Sequence, residues 1–263
     1  MIPQAHIIAW RQQVPWQTNE QVEQDLVICR ALVEIFSDEF LASKLAFRGG
    51  TALHKLYLSP QPRYSEDIDL VQITAEPFGP IADRLRERLS FLGDSQTKRK
   101  AHNFTMYYRF DSEIPPVVKL RLKVETNCRE HFTVMGTHKF PFAVENEWFK
   151  GNCEITTYHP EELLGTKLRA LYQRRKGRDL YDLHKALTDQ ADIKTEKIIR
   201  CYQKYMEFSV ANPPSRKEFL ESMELKMKDD QFLGDITALL RPEEQYEAQA
   251  AWKMVKEVLI EKL

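Results

Sequence analysis

The chain has few cysteines and no cysteine pattern. Cys29, Cys128, Cys153 and Cys201 stand far apart and none forms a CxxC pair, so nothing in them reads as a zinc site. Long apolar runs are missing too: no uninterrupted stretch approaches the roughly 18 residues that a membrane helix needs. The opening MIPQAHIIAWRQQ lacks a basic segment leading into an apolar core of the secretory kind. The expectation is a reducing, cytoplasmic setting with free thiols and no membrane partner. An excess of one charge is also absent. With 38 basic and 39 acidic residues the net charge is −1, which argues against a globally basic nucleic-acid binder, so any basic site must be local. No internal repeat or low-complexity tract occurs.

What is present is a chain of 263 residues, 43% of them hydrophobic, enough for one large domain or two smaller ones with a packed core. Val22, Leu26, Cys29, Val33 and Phe36 fall on one face at three- and four-residue spacing, which predicts a helix from Thr18 to Phe36 with Thr18 and Gln21 as a capping box. Asp38 is expected to cap a short helix running to Leu45, and helical spacing resumes after Gly49-Gly50 until Pro60 and Pro62 end it. Ser65 to Gln72 reads as a strand and Gly79 to Leu92 as an amphipathic helix. Phe104 to Phe110, Val117 to Asn127 and Phe132 to Met135 read as further strands. Beyond His159-Pro160 the pattern is helical: 161–174, 179–188, 194–208, 216–228, 232–240 and 243–263. The fold class is therefore α+β, with a front half (1–158) followed by an all-helical half (159–263). Chemistry is expected where the two meet.

Asp67 and Asp69 stand two apart on a predicted strand, so their side chains share a face about 6.5 Å apart. Two carboxylates so placed suit Mg²⁺, which takes a few carboxylates together with substrate phosphate oxygens. Taken alone, such a pair also marks the wet face of an edge strand. Two features favour the site. Gly49-Gly50-Thr51 opens a helix, where glycines permit close backbone approach and free N–H groups and the Thr51 hydroxyl suit phosphate. The run VKLRLKVE (118–125) alternates apolar and charged residues without a break. If it pairs with the Asp67–Asp69 strand, Glu125 becomes a third carboxylate, with Lys123 and Arg121 beside it.

Further on, LGTKLRALYQRRKGR (164–178) carries six basic residues and no acidic one. Lys167 falls inside the apolar sector of that helix, either snorkelling at its edge or aimed into a cleft. Arg174, Arg175, Lys176 and Arg178 form a cluster suited to an RNA backbone, or to a solvated helix end that complements the dipole. Asp179 and Asp182 follow one turn apart, placed to bond a nucleotide or a basic neighbour.

FRGGTALHKLY, RYSEDIDLV, LKVETN and ELLGTKLRALYQRRKGRDLYDL, in that order, resemble the AbiEii/AbiGii toxin family. These are nucleotidyltransferase-like proteins of bacterial abortive-infection and toxin–antitoxin systems, among them the mycobacterial MenT toxins. The resemblance covers about residues 20–190. It implies a DNA polymerase β-like core, with a mixed or antiparallel sheet and flanking helices, followed by a helical domain completing the active-site cleft. It implies transfer of a nucleoside monophosphate from an NTP, with Mg²⁺ or Mn²⁺, to RNA, with the tRNA 3′ end as acceptor in characterised relatives, and a cognate antitoxin as partner. Carried over by motif, Gly49, Gly50 and Thr51 hold the triphosphate, and Asp67, Asp69 and Glu125 hold metal. Lys167 and Asp182 contact the nucleotide, and Asp179 is the essential aspartate of the last motif. The sequence departs from the wider superfamily in having Gly-Thr for Gly-Ser and Glu for the third Asp. A nucleotidyltransferase acting on a protein or small molecule, and a nucleotide- or RNA-binding regulator without catalysis, are the alternatives.

Overall fold

The computed structural model describes residues 2–263. The chain divides into two compact units, 1–158 and 159–263. The first is built on one mixed seven-stranded sheet in the order β3-β4-β5-β2-β1-β7-β6. In chain order the strands are β1 Leu45–Arg48, β2 Asp67–Gln72, β3 Ser95–Lys100, β4 Asn103–Asp111, β5 Lys119–Asn127, β6 Thr137–Asn146 and β7 Phe149–Tyr158. Pairing is antiparallel except at β2–β5 and β1–β7.

Strict alternation explains how β4 and β5 sit. Phe104, Met106, Tyr108 and Phe110 on β4, and Leu120, Leu122 and Val124 on β5, are all buried. The charged residues between them take the other face. The helices of this unit are α1 Gln4–Arg11, α2 Asn19–Phe36, α3 Glu39–Lys44, α4 Gly49–Ala52 and α5 Gly79–Arg88. The Thr18 side chain accepts from the backbone N–H of Gln21, which is one half of the predicted capping box, and Asp38 accepts from that of Leu41, so the predicted Asp38 cap forms. α2 is buried over most of its length. At its centre Asp25 pairs with Lys55 at 2.7 Å, both side chains being almost fully enclosed, and accepts from the Trp10 indole at 3.0 Å. This ties α1 and α2 to the segment that follows α4.

Several sequence expectations are corrected. The short helix after Asp38 ends at Lys44 rather than Leu45, and Leu45–Arg48, of which 46–48 had no predicted element, is a strand whose Leu45, Ala46 and Phe47 are buried between β2 and β7. The helix after the glycines passes into a π-helical turn, Leu53–Tyr57. Phe132 to Met135 forms no strand; the strand begins at Thr137. The edge strands β3 and β6 and the strand β7 lie outside the predicted elements. β3 is polar throughout and offers no apolar alternation to read. All four cysteines are free.

The second unit is helical: α6 Pro160–Gln173, α7 Gly177–Asp189, α8 Thr195–Ser209, α9 Arg216–Lys226, α10 Asp230–Gly234 and α11 Ala248–Val258. The two helices predicted over 232–240 and 243–263 are shorter and broken. α6 and α8 approach closely at Gly165. A Cβ there would lie 2.5 Å from Cys201 Cβ and 2.9 Å from the Tyr202 backbone nitrogen. Gly165→Ala is therefore expected to destabilise this unit by about 1–3 kcal/mol, the usual range for overpacking. A thermal melt of purified protein checks it. Lys226 closes the C-terminal end of α6 by donating to the carbonyls of Leu171 and Tyr172 at 2.5 and 2.6 Å.

Candidate active site

The centre of the sheet brings the predicted carboxylates together. β2 and β5 are parallel neighbours, with Asp67 opposite Lys123 and Asp69 opposite Glu125. Paired residues at this alternation share a face, so Asp67, Asp69, Lys123 and Glu125 project to the same side. Arg48 stands opposite Asp69 on β1 and ion-pairs with Glu130.

The glycine turn is packed directly on this row. Gly49 has φ +86°, a left-handed conformation that favours glycine, and a Cβ there would lie 2.2 Å from Asp69 Oδ2. Gly50 and Thr51 are buried at the start of α4. The Thr51 hydroxyl donates to the main-chain carbonyl of Asp67 at 2.5 Å and lies 2.9 Å from Ser65 Oγ. The return of the chain between Thr51 and Asp67 is thus pinned from both ends.

Lys123 sits among the acids, 3.3 Å from Asp67 Oδ2 and 2.7 Å from Glu125 Oε2. Burial disfavours its ammonium. The hydrogen bond to Glu125 and the charges of Asp67, Asp69 and Glu125 outweigh that and hold its pKa above that of an ordinary lysine. The face therefore attracts a cation. Glu125 is also held through Oε1 by the Asn103 amide at 2.5 Å. Among the described residues no group of three or more His, Cys, Asp or Glu side chains closes into a metal-holding cluster. The donor set that fits Mg²⁺ is the Asp67–Asp69 pair, hard oxygens that need substrate phosphate to complete a shell. Asn103 had no signal in the sequence: its place beside Glu125 depends on the β4–β5 register.

In the helical unit Lys167 is buried and pairs with Asp179 at 3.3 Å and Asp182 at 2.7 Å, both acids being fully enclosed. Arg174 makes two hydrogen bonds to Asp179, at 2.6 and 2.7 Å. Burial alone would push the Asp179 carboxyl up, but the charge of Lys167 and the bonds from Arg174 outweigh it and hold its pKa below the ordinary value. The sign follows. The stabilisation is complete above the ordinary carboxyl pKa of 3.8 and is lost as pH falls through the lower folded value. Acid titration followed by circular dichroism should show this loss below pH 3.8, and Asp179→Asn should remove that part of the slope. The rest of the predicted RNA cluster is also engaged: Arg175 with Asp229 at 3.6 Å, Lys176 with Asp235 at 3.0 Å and Arg178 with Asp235 at 3.7 Å.

The family profile of the nucleotidyl transferase AbiEii toxin of type IV toxin–antitoxin systems matches residues 30–256. The chain belongs to this family. It is a nucleotidyltransferase toxin of that class, with which an NTP substrate and a cognate antitoxin go. Among solved structures it is similar to MenT4, a nucleotidyltransferase toxin of Mycobacterium tuberculosis H37Rv. That match has a TM-score of 0.68 at 17% identity and covers 100% of this chain and 91% of that one. It is also similar to JHP933 of Helicobacter pylori, with a TM-score of 0.57 at 18% identity, covering 94% and 96%. These likenesses support the α+β fold of the AbiEii-family chain. No curated protein sequence matches it. Among the described residues no helix is long and apolar enough to cross a membrane.

Proposed function

We propose that this AbiEii-family chain transfers a nucleoside monophosphate from an NTP to RNA in the cytoplasm, with the tRNA 3′ end as acceptor. The observation that carries the reading is the acidic row Asp67, Asp69 and Glu125 on adjacent parallel strands, packed under Gly49. Asp67 and Asp69 would hold Mg²⁺ or Mn²⁺, with Glu125 as the third carboxylate of the same face. When bound, the ion supplies charge neutralisation at the phosphates. The backbone N–H groups after Gly49 and Gly50 cradle the triphosphate, and Thr51 joins them once its hydroxyl exchanges the Asp67 carbonyl for a phosphate oxygen. Lys123, already held in its charged form, offsets phosphate charge as its bonds to the acids are exchanged. Glu125 takes the proton of the attacking 3′-hydroxyl, and pyrophosphate leaves in line.

In the helical unit we assign Lys167 and Asp182 to the nucleotide, and Asp179 to holding Lys167 and Arg174 in place. Arg175, Lys176 and Arg178 are assigned to the RNA backbone, with Arg174 anchoring that group through Asp179. Incubation with total tRNA, each labelled NTP in turn and Mg²⁺ tests the reading. Labelled tRNA supports it. Label on protein or a small molecule would move the acceptor to those classes, and binding without transfer would leave a regulator.

A further inference from the structure

We infer that the open face of the sheet over β3, β4 and β5 binds the single-stranded end of the acceptor RNA and leads it to the carboxylates. The inference rests on RNA being the acceptor. Register places one row of side chains on a single face across five strands: Arg48, Asp69, Glu125, Thr105 and Lys98 are successive partners. On the next rows Lys100 stands beyond Asn103, and Gln96, Tyr107 and Lys123 follow one another. Arg109 and Arg121 are partners further along. Lys98 is two strands from Glu125, about 10 Å across the sheet.

The outer part of this face is open to solvent, although Thr105 within it is buried, whereas its reverse carries the buried apolar residues of β4 and β5. Lys98, Lys100, Arg109 and Arg121 are exposed, and among the described residues none of the four is in an ion pair. Arg109 bonds the neutral Gln96, and the Arg121 guanidinium stands 5.5 Å from the centre of the Tyr107 ring. The half-buried Tyr107 thus presents an aromatic ring between unpaired cations, next to the acidic row. Cations that follow a backbone, interleaved with a ring on which a base stacks, form the general surface for single-stranded nucleic acid. The basic residues at 175, 176 and 178 are each already matched by an aspartate. Lysines on the edge strand β3 also deter strand pairing, so the two roles must be separated by measurement.

Filter binding of labelled total tRNA to the full chain, at several salt concentrations and without NTP, separates them. Lys98→Gln/Lys100→Gln should weaken binding and reduce the slope of log K against log salt by about 1.4, at roughly 0.7 for each single-strand contact. Tyr107→Ala should weaken binding roughly tenfold, and Tyr107→Phe, which keeps the ring, should not. Lys217→Gln on α9 should match the wild type. Wild-type affinity and slope in the double lysine variant, no loss in Tyr107→Ala, or a wild-type chain that does not hold tRNA would each overturn the inference. Binding lost in these variants while no nucleotide reaches RNA in the wild type would keep the surface and reject the transfer reading. Transfer to tRNA with binding unchanged in the variants would do the reverse.

Discussion

Asp67→Asn is expected to abolish nucleotidyl transfer while leaving the sheet folded. The replacement is nearly isosteric. What fixes this residue in the sheet is its main chain: the ladder to Lys123 and the Thr51 hydroxyl on its carbonyl. Its side chain is about one-third exposed and makes a 3.3 Å contact with Lys123, so the lost ion pair is worth less than about 1 kcal/mol after solvent screening. The change at the reacting phosphates is much larger. In the proposed role the amide would contribute no negative charge to a divalent cation, and one of the two proposed hard ligands would be weakened. A loss of at least about a thousandfold in rate is expected, roughly 4 kcal/mol of transition-state stabilisation. Labelled-NTP incorporation beside a thermal melt reads both quantities. Activity within tenfold of wild type would remove Asp67 from the site, and a collapsed melt would show that its role is structural.

Gly49→Ala should damage both stability and activity. The left-handed φ of +86° costs a residue with a side chain about 1–2 kcal/mol. The new methyl would also stand 2.2 Å from Asp69 Oδ2 and 2.9 Å from Asp69 Cβ. Asp69 cannot yield cheaply, because its strand is bonded to β1 on one side and β5 on the other. Either the turn or the carboxylate must move. A displacement of about 1 Å at a reacting centre costs on the order of a hundredfold in rate. Gly79→Ala is the matched control: a Cβ there meets nothing within 4 Å, so stability should hold. A Gly49→Ala protein with wild-type melting and turnover would show that the turn accommodates the methyl.

The reason Gly49 matters was only half legible in the sequence. The doublet announced a turn, but the contact with Asp69 needed the return of the chain. The alternation of VKLRLKVE was enough to predict its wet face, and its pairing with β2 was an open condition that the register meets. Helices with strong periodicity, α2 and α6 through α8, were readable because one stripe of each faces a core. β3 and β6 were not, since edge strands bury little and need no apolar alternation. Lys167 was placed correctly in the apolar sector, but its partners depend on how α6 packs against α7. Arg174 looked free for RNA in the sequence, whereas its fork is closed on Asp179.

The parallel pairing at the middle of the sheet also sets an order of assembly. β3, β4 and β5 are successive neighbours joined by short connections, as are β6 and β7, so closing these ribbons costs little loop entropy. Asp67 and Lys123 are 56 residues apart in the chain, and the Thr157 bond to Phe47 closes 110 residues. Such distant closures carry the largest entropy and come late. The acidic row therefore does not exist in a partly made chain. Until β5 is docked beside β2, the carboxylates proposed to hold metal share a sequence but no common face.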